Sequence, residues 1–288
     1  MSEAPSFILA CDIGGTHITS AIVNTQNWEI LSYTLTRAHI NSSSNAKSIF
    51  QGWAGNIKSS LDKFDGIIKH IGIAMPGPFD YEGGISLMKN QDKYDAIYKL
   101  NTTEGILTEL QLQNLEIKYI NDAAAFLQGE IYAQHLSSEN KVLGITLGTG
   151  LGSAVWSKGK TAFDADLWKE KYKESIFEEY LVTRWFTRRF KELTGNQEKG
   201  LKEIIENHKD TIAFEQLIQE YRIHLKDFLA YFSEIHSSNH FIFGGNITKA
   251  WDYIATNDEF SAFKITKAQY AEKAALIGAA SIFSNPNT

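Results

Sequence analysis

Read from its N-terminus, the chain alternates short apolar runs with polar breaks at intervals that suit strands first and helices later. "SFILACDIG" and "ITSAIVNT" read as two paired strands, and "WEILSYTLT" continues the meander. In "NAKSIFQGWAGNIKSSLDKF" the apolar residues Ile49, Trp53, Ile57 and Leu61 recur every four positions, the stripe of an amphipathic helix. "KHIGIAMPGPFD" predicts a strand that stops at Pro76, because Pro-Gly-Pro cannot continue a ladder. After a loop containing "YEGG", "TEGILTELQL" predicts a helix, "LEIKYI" a strand ending at Asn121, and "DAAAFLQGEIYAQHL" a helix with Asp122 at the N-cap position.

"KVLGITLGTGLGSAVW" then repeats the opening motif of strand, glycine-rich turn and strand. Residues 164–236 read as mostly helical and highly charged, with "FEEYLVTRWFTRRFKEL" the clearest amphipathic segment. "HFIFGGNITKAWDYI" predicts strand, turn and helix, and "KAQYAEKAALIGAASIF" a closing helix. No low-complexity linker interrupts the pattern, so a domain boundary is expected as a compact crossover near residues 118–121.

Composition fits a soluble globular protein. At 288 residues the chain is long enough for two lobes, and 43% hydrophobic with 22% charged residues suits a globular fold. A net charge of -6 leaves no basic excess to neutralise phosphates, which argues against nucleic acid and anionic membrane as partners. Neither a signal peptide nor a run near the length of a membrane span is evident, so a cytoplasmic location is expected. The single cysteine, Cys11, excludes an intrachain disulfide and reads as a small buried strand residue. The eight histidines are scattered without a metal-binding spacing.

Three glycine turns follow apolar strands: Gly14-Gly15-Thr16, Gly148-Thr149-Gly150-Leu151-Gly152 and Gly244-Gly245-Asn246. Glycine lets backbone N–H groups approach an anion, and threonine adds a hydroxyl donor. Each turn taken singly is also ordinary hairpin chemistry. Neither GxxxxGK[ST] nor a GxGxxG leading into a helix is present, which argues against a Walker or Rossmann site.

Taken in order, "DIGGTHI", "GIAMPGPFDYEGGI", "INDAAAFLQGE", "ITLGTGLGSAV" and "FIFGGNI" resemble the motifs of the ROK family of sugar kinases and related repressors, from about Ile8 to Ser281. The resemblance implies a two-lobed α/β fold of the actin-like (ribonuclease H-like) ATPase type with a cleft between lobes. Residues 1–119 with 267–288 would form the smaller lobe and 120–266 the larger. It further implies ATP and Mg²⁺, with Gly14, Gly15, Thr16 and His17 on the donor phosphates and Asp12 facing Mg²⁺ through water. By the same resemblance Gly148, Thr149, Gly150 and Gly152 form a second phosphate loop, and Gly244, Gly245 and Asn246 meet the adenosine. Asn121 would bind a sugar hydroxyl and Asp122 act as general base. The family also implies homodimers and, for some members, polyphosphate as donor.

Where the family carries a Glu-x-Gly-His clamp and a cysteine-rich zinc knuckle, this chain reads "GKTAFDADLWKEKYKESIFEEYLVTRWF", without cysteine or histidine. No zinc is therefore expected. Packing of Phe163, Leu167, Trp168 and Tyr172 is expected to hold the segment instead. "FEEYL" resembles the end of the family motif, which makes Glu178 the candidate acceptor for a sugar hydroxyl, with Glu179 beside it; Asp164 and Asp166 are further stand-ins for the lost clamp. Related repressors carry a helix-turn-helix domain ahead of "DIGGT"; eleven residues precede Asp12 here, so an enzyme is the expectation, with a sugar-binding sensor that has lost catalysis as the alternative.

Overall fold

A computed structural model describes residues 6–91, 93–112, 114–255 and 258–284. The chain divides into two compact units, the first made of residues 1–139, 157–163 and 270–288 and the second of 140–156 and 164–269. The first contains strands β1 (Phe7–Ile13), β2 (His17–Asn24), β3 (Glu29–Ile30) and β4 (Thr36–His39), helix α1 (Ala46–Leu61), β5 (His70–Met75), β6 (Phe79–Asp80), β7 (Ile85–Ser86), α2 (Thr102–Leu110), β8 (Glu116–Asn121) and α3 (Asp122–Ala133). Its main sheet runs β3-β2-β1-β5-β8, with β4 also on β2; β1 and β2 are antiparallel, whereas β1, β5 and β8 are parallel.

The central strands are apolar on both faces because both faces are covered. Leu9, Cys11 and Ile13 join Ile49, Trp53 and Ile57 of α1 in one core, as the period of four predicts, while Leu61 is only half-buried. The other face belongs to α3 and the last helix, α9 (Ala274–Ser281), which packs on β1, β5 and α3. Two glycines allow that crossing. A Cβ on Gly129 would stand 1.8 Å from the carbonyl oxygen of Ala274, and one on Gly278 1.9 Å from that of Ala125, so the two backbones touch where any side chain would separate them. The fully buried Glu130 on α3 completes the join, its Oε1 accepting the N–H groups of Tyr270 and Ala271 at 2.8 and 2.9 Å.

This packing moves the boundary expected at residues 118–121. β8 is zipped to β5 and α3 is fused to α9, so both stay in the first unit and the chain leaves it only after Glu139.

The second unit holds β9 (Lys141–Leu147), β10 (Leu151–Ser157), β11 (Phe163–Asp164), a hairpin of β12 (Lys171–Tyr172) and β13 (Ser175–Ile176), helices α4 (Glu178–Leu181), α5 (Thr183–Thr194), α6 (Leu201–His208) and α7 (Ile212–His236), then β14 (His240–Gly244), α8 (Trp251–Ile254) and β15 (Lys264–Lys267). Its sheet runs β11-β10-β9-β14-β15, with β14 parallel to β9 and β15. Trp185, Phe186, Phe190, Tyr221, Phe228 and Phe232 from α5 and α7 build the core over it.

Three expectations are corrected here. Residues 164–176 form short strands and a single 3-10 turn at Leu167–Lys169 rather than α-helix, which begins only at Glu178. The closing helix starts at Ala274, and the preceding Lys264–Lys267 is a strand recruited by pairing with β14. In the segment without cysteines, Leu167 and Tyr172 pack as expected, but Phe163 and Trp168 are 52% and 40% exposed. Tyr172 does most of the holding: its ring stacks on Phe177 at 4.5 Å and its hydroxyl donates to Asp227 Oδ2 at 2.6 Å. No described helix is long and apolar enough to cross a membrane.

Candidate active site

In parallel sheets, binding residues collect where strands end, because the loops there are free of ladder hydrogen bonds. In the first unit β1 ends in Asp12-Ile13-Gly14-Gly15 and β8 in Asn121-Asp122, with β5 between them. The register sets Asp12 against Ala74 and Ala74 against Ile120, so the strand ends bearing Asp12 and Asp122 lie roughly 10 Å apart, two strand spacings. On its other side Asp12 pairs with Thr19, and Thr19 with Arg37, which puts a guanidinium in the same cross-strand row. Arg37 reaches Glu272 at 3.4 Å.

The first turn is tight: Gly14 N–H donates to the His17 carbonyl at 2.9 Å, and Thr16 Oγ1 lies 2.8 Å from His17 Nδ1. A Cβ on Gly14 would meet nothing nearer than that carbonyl oxygen, at 3.7 Å, which leaves room for a ligand to approach the backbone. Tyr94 fixes the turn from below, donating its hydroxyl to the Gly14 carbonyl at 2.6 Å while its ring, fully buried, packs on Trp53.

At the end of β8 two residues able to cap stand in tandem. Asn121 has extended backbone, and its Oδ1 accepts from Ala123 N–H at 2.9 Å and Ala124 N–H at 3.1 Å, so Asn121 is the N-cap of α3. Asp122, expected as the cap, is the first helical residue instead and accepts from Ala123 N–H at 2.8 Å. Its side chain keeps access to solvent. The Asn121 amide is also engaged, donating to Tyr81 Oη at 3.1 Å.

Both carboxyls are raised above the ordinary range. For Asp12 the main cause is loss of water around it, followed by repulsion from Asp122, and together they push it up to about 7 against the pull of Arg37. For Asp122 the displacement of water by surrounding protein, although the side chain is open on one side, outweighs the Ala123 N–H and the charge of Lys93. Cys11, next to Asp12 but buried in the α1 core, keeps its thiol protonated for the same reason of burial.

The second unit brings the other two turns together. β9 and β14 are parallel neighbours, with Thr146 opposite Gly244, so the turn at residues 148–152 and Gly245-Asn246 leave adjacent strand ends. Gly245 has φ of +90°, and a Cβ there would stand 2.2 Å from the Leu147 carbonyl oxygen; only glycine serves. Nothing lies within 4 Å of a Cβ on Gly148, so space is open beside that turn. The segment from Glu178 to Arg184 braces it: Glu178 Oε2 accepts the Leu151 N–H at 2.9 Å, Thr183 N–H and Oγ1 both donate to the Gly148 carbonyl at 2.8 Å, and Arg184 donates to the Thr149 carbonyl at 3.1 Å. Glu178 Oε1 receives Arg184 at 2.8 Å, and Glu179 is tied to Arg184 and Arg188. Within "TRRFK", Arg188 pairs with Glu179 at 3.3 Å and Arg189 with Glu220 at 2.6 Å, while Lys191 is exposed.

Sequence reading missed Lys93, Tyr94, Arg37 and Tyr81. The last three reach the strand ends through tertiary contacts or cross-strand register, and the only local signal was the left-handed backbone of Tyr94, which no side-chain pattern announces. Among the described residues no three His, Cys, Asp or Glu side chains gather as a metal-binding group.

A family model described as ROK matches residues 8–163. An N-acetyl-D-glucosamine kinase from Mannheimia succiniciproducens is 26% identical over 153 residues, 52% of this chain and 45% of that protein. The match thus spans about half the length of this curated relative. A ROK family glucokinase from Streptomyces griseus, solved with glucose and AMPPNP, has a TM-score of 0.72 at 18% identity, covering 96% of this chain and 98% of that one. An inorganic polyphosphate/ATP-glucomannokinase from Arthrobacter sp. strain KM has a TM-score of 0.69 at 21% identity, covering 97% and 99%. The mixed α/β fold is that of the actin-like ATPases these structures share.

Proposed function

The chain belongs to the ROK family, and on that premise we propose that it transfers the terminal phosphoryl group of ATP to a hydroxyl of a hexose or amino sugar. The observation that carries this reading is Asp122: relieved of capping by Asn121, open to solvent, and basic beyond an ordinary carboxylate, it stands at a strand end beside the first glycine turn. A sugar hydroxyl is a weak nucleophile, and a carboxylate within reach orients it and takes its proton as the phosphoryl group moves. Gly14, Gly15, Thr16 and His17 would hold donor phosphates on backbone and hydroxyl donors, as would Gly148, Thr149, Gly150 and Gly152. Gly244, Gly245 and Asn246 would meet the nucleoside, and Asn121 and Glu178 the sugar. Glu178 already accepts two hydrogen bonds, but a carboxylate has about four acceptor sites, so a sugar hydroxyl can still donate to it.

Mg²⁺ suits this chemistry. Asp12 offers a hard oxygen donor, and its repulsion with Asp122 is the kind of charge that a dication relieves. Bound on the Asp12 side through water, Mg²⁺ would offset the charge of the donor phosphates.

Purified protein with Mg-ATP should release ADP in response to at least one of glucose, mannose, fructose, N-acetylglucosamine and N-acetylmannosamine. Asp122→Asn should lower kcat by about 10²–10⁴ while leaving the melting temperature within a few degrees. Sugar binding in a calorimeter without ADP release would instead favour the sensor reading. Because one structural neighbour is named for both donors, polyphosphate belongs beside ATP in the same assay.

A further inference from the structure

Lys93 has no place in any motif, yet its side chain enters the site. A Cβ on Gly15 would lie 3.6 Å from Lys93 Cδ, so the lysine stem runs along the outside of the first glycine turn. Its neighbour Tyr94 is anchored on the same turn by the 2.6 Å bond to the Gly14 carbonyl, and Tyr94 N–H donates to the Ser42 carbonyl at 2.8 Å. The lysine is thus delivered by a fixed backbone rather than by a free loop tip. Among the described residues its ammonium makes no hydrogen bond or ion pair, and the residue is only half-buried.

We propose that Lys93 is a phosphate-binding catalytic residue, its ammonium meeting the terminal phosphate of the donor between the Gly14-Gly15 turn and Asp122. The phosphoryl group must pass from the turn that holds the donor to the hydroxyl that Asp122 holds, and Lys93 stands at the donor end of that path, against Gly15. Its charge reaches Asp122, whose carboxyl it pulls down against the effect of burial. In the transfer no proton leaves Lys93. The P–O bond to the leaving diphosphate breaks, the bond to the sugar oxygen forms, the sugar proton goes to Asp122, and the ammonium balances charge on the equatorial oxygens. The assignment rests on the kinase reading above for its chemistry, but its binding test does not need turnover.

AMPPNP and ADP differ by the terminal phosphate, so their affinities separate a contact to that group from general damage. Calorimetry on Lys93→Met should show AMPPNP binding weakened by about tenfold or more, the loss of one charge-assisted contact, with ADP binding changed less than about twofold. Lys93→Arg should keep AMPPNP affinity within about threefold of the parent, since it retains the charge. With an accepted sugar, Lys93→Met should also lose kcat while the sugar KM holds. Equal losses for both nucleotides, or none for either, overturn the assignment. A parent protein that shows the AMPPNP-selective loss on substitution but phosphorylates no sugar overturns the kinase reading and leaves Lys93 standing as a phosphate contact. A parent that binds neither nucleotide overturns both.

Discussion

Asp12 stands between unlike charges, Arg37 beyond Thr19 in its cross-strand row and the acid Asp122 just past the end of β8 on the far side of β5. Because its carboxyl is raised to about 7 from an ordinary value of 3.8, the folded chain keeps a proton that the unfolded chain releases. Its contribution therefore favours folding on the acid side and is lost as pH climbs from about 4 through about 7. Melting curves in a chelator should show Asp12→Asn more stable than the parent at pH 8, by about 2–6 °C, with a smaller gap at pH 5. Millimolar Mg²⁺ should narrow the gap at pH 8, because only the parent offers the carboxylate. A gap independent of pH would show that this carboxyl is not strained by its surroundings.

The two acids were legible in the sequence because each interrupts or ends an apolar strand, where a charge needs a reason. Which of Asn121 and Asp122 caps the helix was not legible, since both types cap well and the choice turns on one backbone ψ angle. Lys93 and Arg37 were invisible for another cause. Their importance comes from partners about 80 and 25 positions away, brought close only by the sheet register and the fold of a loop.

Among elements, the α3 and α9 crossing is the least forgiving. Gly129→Ala should cost more than about 3 kcal/mol in urea denaturation, or abolish soluble expression, since the new methyl would displace backbone rather than a side chain. Gly55→Ala, on the exposed face of α1 with nothing within 4 Å, should gain about 0.5–1 kcal/mol by the ordinary helix preference. The hairpin of β12 and β13 offers a different contrast. Tyr172→Ala removes both the stack on Phe177 and the bond to Asp227 and should cost about 2–3 kcal/mol, whereas a zinc chelator should leave the melting temperature unchanged. Most strands and helices were readable from periodicity. The hairpin and the strand Lys264–Lys267 were not, because two- and four-residue strands are fixed by their partners and carry too few positions to show alternation.

For the molecule as a whole, the resemblance to known motifs reached nearly the full chain, but the division into units did not follow from it. The boundary depends on which helix α3 touches, and its partner α9 lies about 140 residues further on. Truncation after Gln269 should accordingly spare α5 and α7 over their own sheet while leaving the β1 and β5 face bare, and should be seen as loss of the cooperative melting of the first unit alone.

That long reach also orders events during synthesis. A ribosome working at about 5–20 residues per second needs roughly 10 s to pass from α3 to α9, and throughout that time the first-made strands have one apolar face uncovered. The second unit, residues 140–156 and 164–269, can close while the first still waits. β1, which bears Asp12, and β8, which leads into Asp122, are among the earliest elements to be made and the last to be sealed, so the nascent chain is most exposed to wrong apolar contacts at its N-terminal strands.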